Sequence, residues 1–159
     1  MIPVTRLNHA VLYVRDAQAS ADFYRQALDF QVVSSMGRSA AFLRASASDN
    51  HHDLALFTVG TDAPGPQPGR VGLYHLAWEV PTIDDLADAR AHLMPLGALV
   101  GESDHGVSKS LYARDIDGIE FEVLWTVPRE AWGDYEQHAV SQPLDLAAEL
   151  AKYGTRAAR

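Results

Sequence analysis

The segment LNHAVLYVRDAQASADFYRQALDFQVV (residues 7–33) has a counterpart in LYHLAWEVPTIDDLADARAHLMPLGALV (residues 73–100). Each opens with a short run of β-forming residues that carries a histidine, His9 or His75. Each then changes to a helical period. Asp16 or Thr82 stands where an N-cap would stand. Phe23, Tyr24, Ala27 and Leu28 make one apolar stripe. Ile83, Leu86, Ala87 and Leu93 make the other, interrupted only by Arg90. Pro95 and Gly97 punctuate the end of the second helix.

The repetition continues downstream. DNHHDLALFTV (49–59) aligns without a gap against DGIEFEVLWTV (117–127) at an offset of 68, whereas the two histidines are offset by 66. Between the copies, GTDAPGPQPGR (60–70) reads as a linker because of its glycines and prolines. The chain is thus expected to hold two copies of strand, helix and about three strands, with modules at about 5–59 and 71–127. Strands clustered after a single helix predict an α+β fold and not a doubly wound one. Residues 128–159 form a tail with Trp132, Tyr135 and the helical segment PLDLAAELAKYG, expected to pack on the domain.

Bulk properties narrow the function classes. A chain of 159 residues with 47% apolar and 21% charged residues suits one soluble domain with a real core. A formal charge of −8 argues against nucleic acid or an anionic membrane as partner. The chain contains no cysteine, which excludes disulfides, thiolate metal sites and a cysteine nucleophile. The N-terminus carries no visible secretory pattern and no run has the length of a membrane helix, so a cytoplasmic location is expected.

Strand alternation sorts the polar residues. Glu120, Glu122 and Leu124 share one face, and Phe121, Val123 and Trp125 the other. At the offset of 68, His52 matches Glu120 and Leu54 matches Glu122. If both copies turn this face to a shared cleft, His9, His75, Glu122 and His52 converge. Two histidines and one carboxylate from three strands form a facial triad, a set that suits non-haem Fe(II) and accepts Mn(II). Any one of these residues alone is also accounted for as a satisfied or exposed polar group. Glu122, between Phe121 and Val123, is harder to dismiss, because an unpaired buried carboxylate is costly. His105 and Tyr112 add protic groups able to hydrogen-bond near a metal-bound ligand. His51, His92 and His138 read as structural or surface residues, and Lys109 and Arg114 as solvated.

The doubled unit resembles the vicinal oxygen chelate superfamily of glyoxalases, bleomycin- and fosfomycin-resistance proteins and extradiol dioxygenases, over roughly residues 5–127. That resemblance implies two βαβββ modules forming one U-shaped mixed sheet around a metal site, here followed by a C-terminal helical tail. The run HGVSKSLYARDIDG (105–118) followed by Glu122 is similar to the type I extradiol dioxygenase signature, with Ile116 where that turn usually has proline. By this resemblance His9, His75 and Glu122 are the metal ligands, His52 is the acid/base, and His105 and Tyr112 are the hydrogen-bonding pair. Leu54 stands where glyoxalases tend to carry a further ligand glutamate, which favours an open three-ligand site.

The activity so implied is extradiol cleavage of a catechol-type diol with Fe(II) and O2, by a single-domain form. An aromatic diol and O2 are the small-molecule partners, and a homo-oligomer, dimer or higher, is expected. Two alternatives stand beside it. One is a glyoxalase- or epimerase-like metalloenzyme acting on an enolisable carbonyl. The other is a metal-free drug-binding protein, which would not need a His-His-Glu set.

Overall fold

The computed structural model describes residues 1–156, which fall into two compact units. The first comprises Met1–Gln67 together with the four-residue turn Asp115–Gly118; the second comprises Pro68–Arg114 and the chain from Ile119 onward.

In the first unit, β1 (Ala10–Val14) leads into α1 (Ala17–Leu28), then β2 (Gln31–Ser35), β3 (Ala40–Arg44) and β4 (Leu54–Thr58). The sheet order is β1-β4-β3-β2. The β1/β4 pair is parallel and the others are antiparallel. Asp16 caps α1 by accepting from the N–H groups of Gln18 and Ala19, which satisfies donors the helix cannot use. Ala17, Ala21, Tyr24 and Ala27 of α1 are buried, as are Leu12, Leu43, Leu54 and Leu56 of the strands. Each such leucine contributes about 1.5–3 kcal/mol by leaving water.

The second unit repeats this plan. The order along the chain is β5 (His75–Glu79), α2 (Ile83–Leu93), β6 (Leu99–Asp104), β7 (Ser108–Arg114) and β8 (Glu120–Thr126). Its sheet runs β5-β8-β7-β6, with β5 and β8 parallel. Thr82 caps α2 through the Asp85 N–H. Even the irregularities recur: the β2/β3 ladder slips between Val32 and Ser34, and the β6/β7 ladder between Leu99 and Gly101. Two βαβββ modules are therefore present, each with its own four-stranded mixed sheet. Short 3-10 turns follow at Arg129–Ala131 and Gly133–Glu136, then α3 (Leu146–Tyr153). Among the described residues no helix is long and apolar enough to cross a membrane.

The ladders correct the offset read from the sequence. Ala10 pairs with Leu54, and Leu76 pairs with Phe121. The last strands of the two modules therefore correspond at an offset of 67, not 68. Leu54 matches the core residue Phe121, Ala55 matches Glu122, and Asp53 matches Glu120. A slip of one residue exchanges the two faces of a strand, and the run Leu54-Ala55-Leu56-Phe57 is apolar on both, so its sequence carries no cue to register.

Candidate active site

The second unit places three of the expected residues side by side. His75 opens β5, and Glu122 and Tyr112 are directly opposed across the β7/β8 ladder. His75 Nε2 lies 3.2 Å from Glu122 Oε2. Glu122 is buried, and among the described residues its ion-pair partner is this titratable ring, with no lysine or arginine bonded to it. The other ring nitrogen, His75 Nδ1, is buried without a hydrogen-bond partner, and its nearest carboxylate oxygen, on Glu120, is 4.0 Å away. A buried carboxylate paired only with an imidazole is costly as it stands. A divalent cation taking His75 Nε2 and the Glu122 carboxylate as ligands would relieve it, whereas the unpartnered Nδ1 lies on the other edge of the ring, toward Glu120. Nitrogen and carboxylate oxygen together suit Fe(II) or Mn(II).

Tyr112 joins this pair to His105. The separation between the Tyr112 hydroxyl and His105 Nε2 is 2.8 Å, and His105 Nδ1 is 2.8 Å from the carbonyl oxygen of Val140. Burial pushes the Tyr112 phenol above its ordinary pKa, and the Glu122 charge pushes it further, so the hydroxyl keeps its proton at neutral pH.

The first unit holds the other two residues. His9 immediately precedes β1, and its ring centroid is 4.6 Å from that of His52. His9 Nδ1 is 2.8 Å from Asn8 Oδ1. An oxygen there can only accept, so Nδ1 carries the proton and Nε2 keeps its lone pair, the form a metal ligand needs. The His52 ring packs edge-on against Phe42, with centroids 5.3 Å apart. Burial holds its pKa below the usual histidine value. The nearby His9 and His51 lower it further, against a partial opposing effect of the Asp53 charge. His52 is therefore neutral at neutral pH. His51 is exposed, with its Nδ1 3.1 Å from His52 Nδ1. His92 and His138 are exposed too, each bonded to a helix or turn carbonyl.

Among the described residues no three His, Cys, Asp or Glu side chains gather closely enough to hold an ion. The expected ligands occur as the His75–Glu122 pair in one unit and as His9 in the other.

Two expectations about polar residues need comment. Lys109 is not solvated: it is 5% exposed and paired with Asp104 at 2.6 Å and Glu149 at 3.5 Å. Asp104 is its cross-strand neighbour on β6, and Glu149 comes from α3, which local sequence could not place beside β7. Arg114 is exposed, as expected, and pairs with Glu120. The turn Asp115–Gly118 manages without proline. The Asp115 carboxylate accepts from the Asp117 N–H, and the Gly118 N–H closes on the Asp115 carbonyl. Sequence reading missed Val140, because a main-chain carbonyl leaves no trace in residue type.

Comparison with known proteins agrees with this frame. The family model described as the glyoxalase/bleomycin resistance protein/dioxygenase superfamily matches residues 6–123. The chain belongs to that superfamily. It is 32% identical over 129 residues to the catechol-2,3-dioxygenase of Bacillus subtilis (strain 168), covering 80% of this chain and 44% of the relative. It is 35% identical over 120 residues to biphenyl-2,3-diol 1,2-dioxygenase 3 of Rhodococcus globerulus, covering 74% and 62%. The chain thus spans less than two thirds of the length of either relative. A glyoxylase/bleomycin resistance protein/dioxygenase domain from Frankia sp. EAN1pec matches 78% of this chain and 99% of its own, with a TM-score of 0.64 and 24% identity, a likeness of fold alone.

Proposed function

We propose that this protein cleaves a catechol-type aromatic diol on the extradiol side, using non-haem Fe(II) and O2. The observation that carries the reading is the buried Glu122 carboxylate 3.2 Å from His75, flanked by a tyrosine that is itself bonded to a histidine. The names of the two dioxygenases similar to this chain support the same chemistry.

In this reading His9, His75 and Glu122 hold the iron. Bound there, Fe(II) would bring diol and oxygen together and let charge pass between them. Everything else falls to side chains. Tyr112, protonated at neutral pH, holds a diol oxygen in place, and His105 acts with it through their shared hydrogen bond. His52, neutral at the same pH, has the lone pair needed to take a proton and later return it. Phe42, against which His52 packs, offers an apolar surface to an aromatic ring.

The reading is tested by loading the protein with Fe(II) without air, then adding air and a panel of catechols while following oxygen uptake and the yellow ring-opened product. Uptake with colour supports it. Tight iron binding with no uptake on any diol would replace it by carbonyl isomerisation, and absence of metal binding by a metal-free binding role.

A further inference from the structure

The C-terminal segment lies beyond the residues that match the family model, yet it reaches one of the proposed site residues. Val140 presents its main-chain carbonyl to His105 Nδ1 at 2.8 Å. The carbonyl is fixed in turn by an antiparallel bridge two residues later. Gln142 N–H donates to the Asp104 carbonyl at 2.9 Å, and Asp104 N–H to the Gln142 carbonyl at 2.8 Å. The Ser103 and Ser141 hydroxyls meet at 2.9 Å beside it. Further along, Glu149 of α3 pairs with the buried Lys109. A cavity of about 190 Å³ is lined by residues of both attachments, among them Asp104, Val140, Gln142, Lys109 and Glu149.

A carbonyl oxygen can only accept a hydrogen bond. His105 Nδ1 must therefore carry a proton. In the neutral ring Nε2 is then an acceptor, 2.8 Å from the Tyr112 hydroxyl, which also has the Glu122 carboxylate as an acceptor within hydrogen-bonding reach. The phenol oxygen is left with its lone pairs and no free proton. We propose that the C-terminal arm is a positioning element of the site: the Val140 carbonyl holds His105 in its Nδ1–H tautomer, so that the phenol of Tyr112 meets acceptors on both sides, His105 Nε2 and Glu122, its proton is taken up between them, and its oxygen becomes an acceptor for a substrate hydroxyl. Val140 acts through His105 and touches no substrate. The inference rests on the proposed reaction only for the identity of that hydroxyl, a phenolic O–H of the diol. A substrate offering a carbonyl oxygen at this position would meet an acceptor and be disfavoured.

The test is nitrogen-15 NMR of the histidine rings in the full-length, metal-free protein, at a pH about two units above the ordinary histidine value of about 6.5. The His105 signals are assigned by their loss in His105→Gln. The Nδ1–H form is expected to dominate by at least about tenfold, the weight of one ordinary hydrogen bond. It should persist in Tyr112→Phe, because the carbonyl and not the phenol sets it. It should decay toward the Nε2–H form in Gln142→Pro, which deletes the N–H that fastens the arm. A dominant Nε2–H form in the native chain, reversal in Tyr112→Phe, or an unchanged tautomer in a folded Gln142→Pro would each overturn the proposal. If Gln142→Pro does not fold, the first two spectra decide alone. Because the readout needs neither iron nor oxygen, a failed ring-cleavage assay and a failed tautomer assignment are separate results.

Discussion

The two modules are built on one plan and filled with different chemistry. In the first module Phe42 pairs with Ala55 across β3/β4, with His9 just before β1 and His52 two residues before β4; in the second His75 opens β5 and Tyr112 pairs with Glu122 across β7/β8. Phe42 stands where the second module has Tyr112, and Ala55 where it has Glu122. The carboxylate and the phenol are therefore confined to one module, while the other supplies imidazoles set against an aromatic wall.

The largest effect expected from breaking this asymmetry is at Glu122. Glu122→Gln should abolish oxygen uptake and weaken Fe(II) binding by more than the about 10–100-fold typical of groups that only support a ligand. Anaerobic metal titration measures the loss. The metal-free variant should be as stable as the native chain or more so, because a buried charge has been removed; marked destabilisation would mean that Glu122 is a structural ion-pair member. Next comes the imidazole side. His52→Phe should leave iron affinity unchanged and lower ring cleavage by about 10²–10⁴-fold, the range of general acid–base groups. Cleavage at the native rate would remove His52 from the mechanism and leave the first module as a binding wall.

Much of this asymmetry was legible before the fold. The repeated strand–helix pattern, the caps Asp16 and Thr82 and the position of α3 follow from residue type and period, and the structure has them all. The face carrying Glu120 and Glu122 also reads correctly, because in that strand charged residues alternate with Phe121 and Val123. The register of the first module did not read correctly. Leu54 and Ala55 are both apolar, and alternation gives no signal where both faces are buried. Glu122 lacks a carboxylate counterpart at either offset, so that inference survived the slip. The Lys109–Glu149 and His105–Val140 contacts were illegible for another reason: the partners are distant in sequence, and Val140 contributes only its main-chain carbonyl.

Lys109 gives the third effect, in stability. It sits at the centre of a three-residue charge group that has no equivalent reading in the first module. Lys109→Met should cost about 3 kcal/mol, because two carboxylates of limited exposure lose their cation. Thermal unfolding measures this. A loss below about 1 kcal/mol would mean that solvent screens the group and that α3 is held by other contacts.

The smallest effect separates two matched carboxylates, Asp53 and Glu120. Asp53 accepts from the Ala45 N–H at 2.9 Å, the Ser48 hydroxyl at 2.8 Å and the Asn50 amide at 2.7 Å. Burial raises its pKa, but these donors outweigh burial and leave it below the ordinary aspartate range. Glu120 instead pairs with the exposed Arg114. A folded-state pKa below the unfolded one means that the unfolded chain binds the proton first. The stability Asp53 contributes is thus fully present above the unfolded value of about 3.9 and is lost as pH falls through the folded value. Asp53→Asn should cost about 1 kcal/mol at neutral pH and flatten the decline of stability below about pH 4. Glu120→Gln should cost less than that, as an exposed arginine partner contributes little. Denaturant unfolding of both variants across that pH range distinguishes them. Equal flattening in the two would mean that the matched positions do the same structural work, and that the asymmetry of the modules begins only at Ala55 and Glu122.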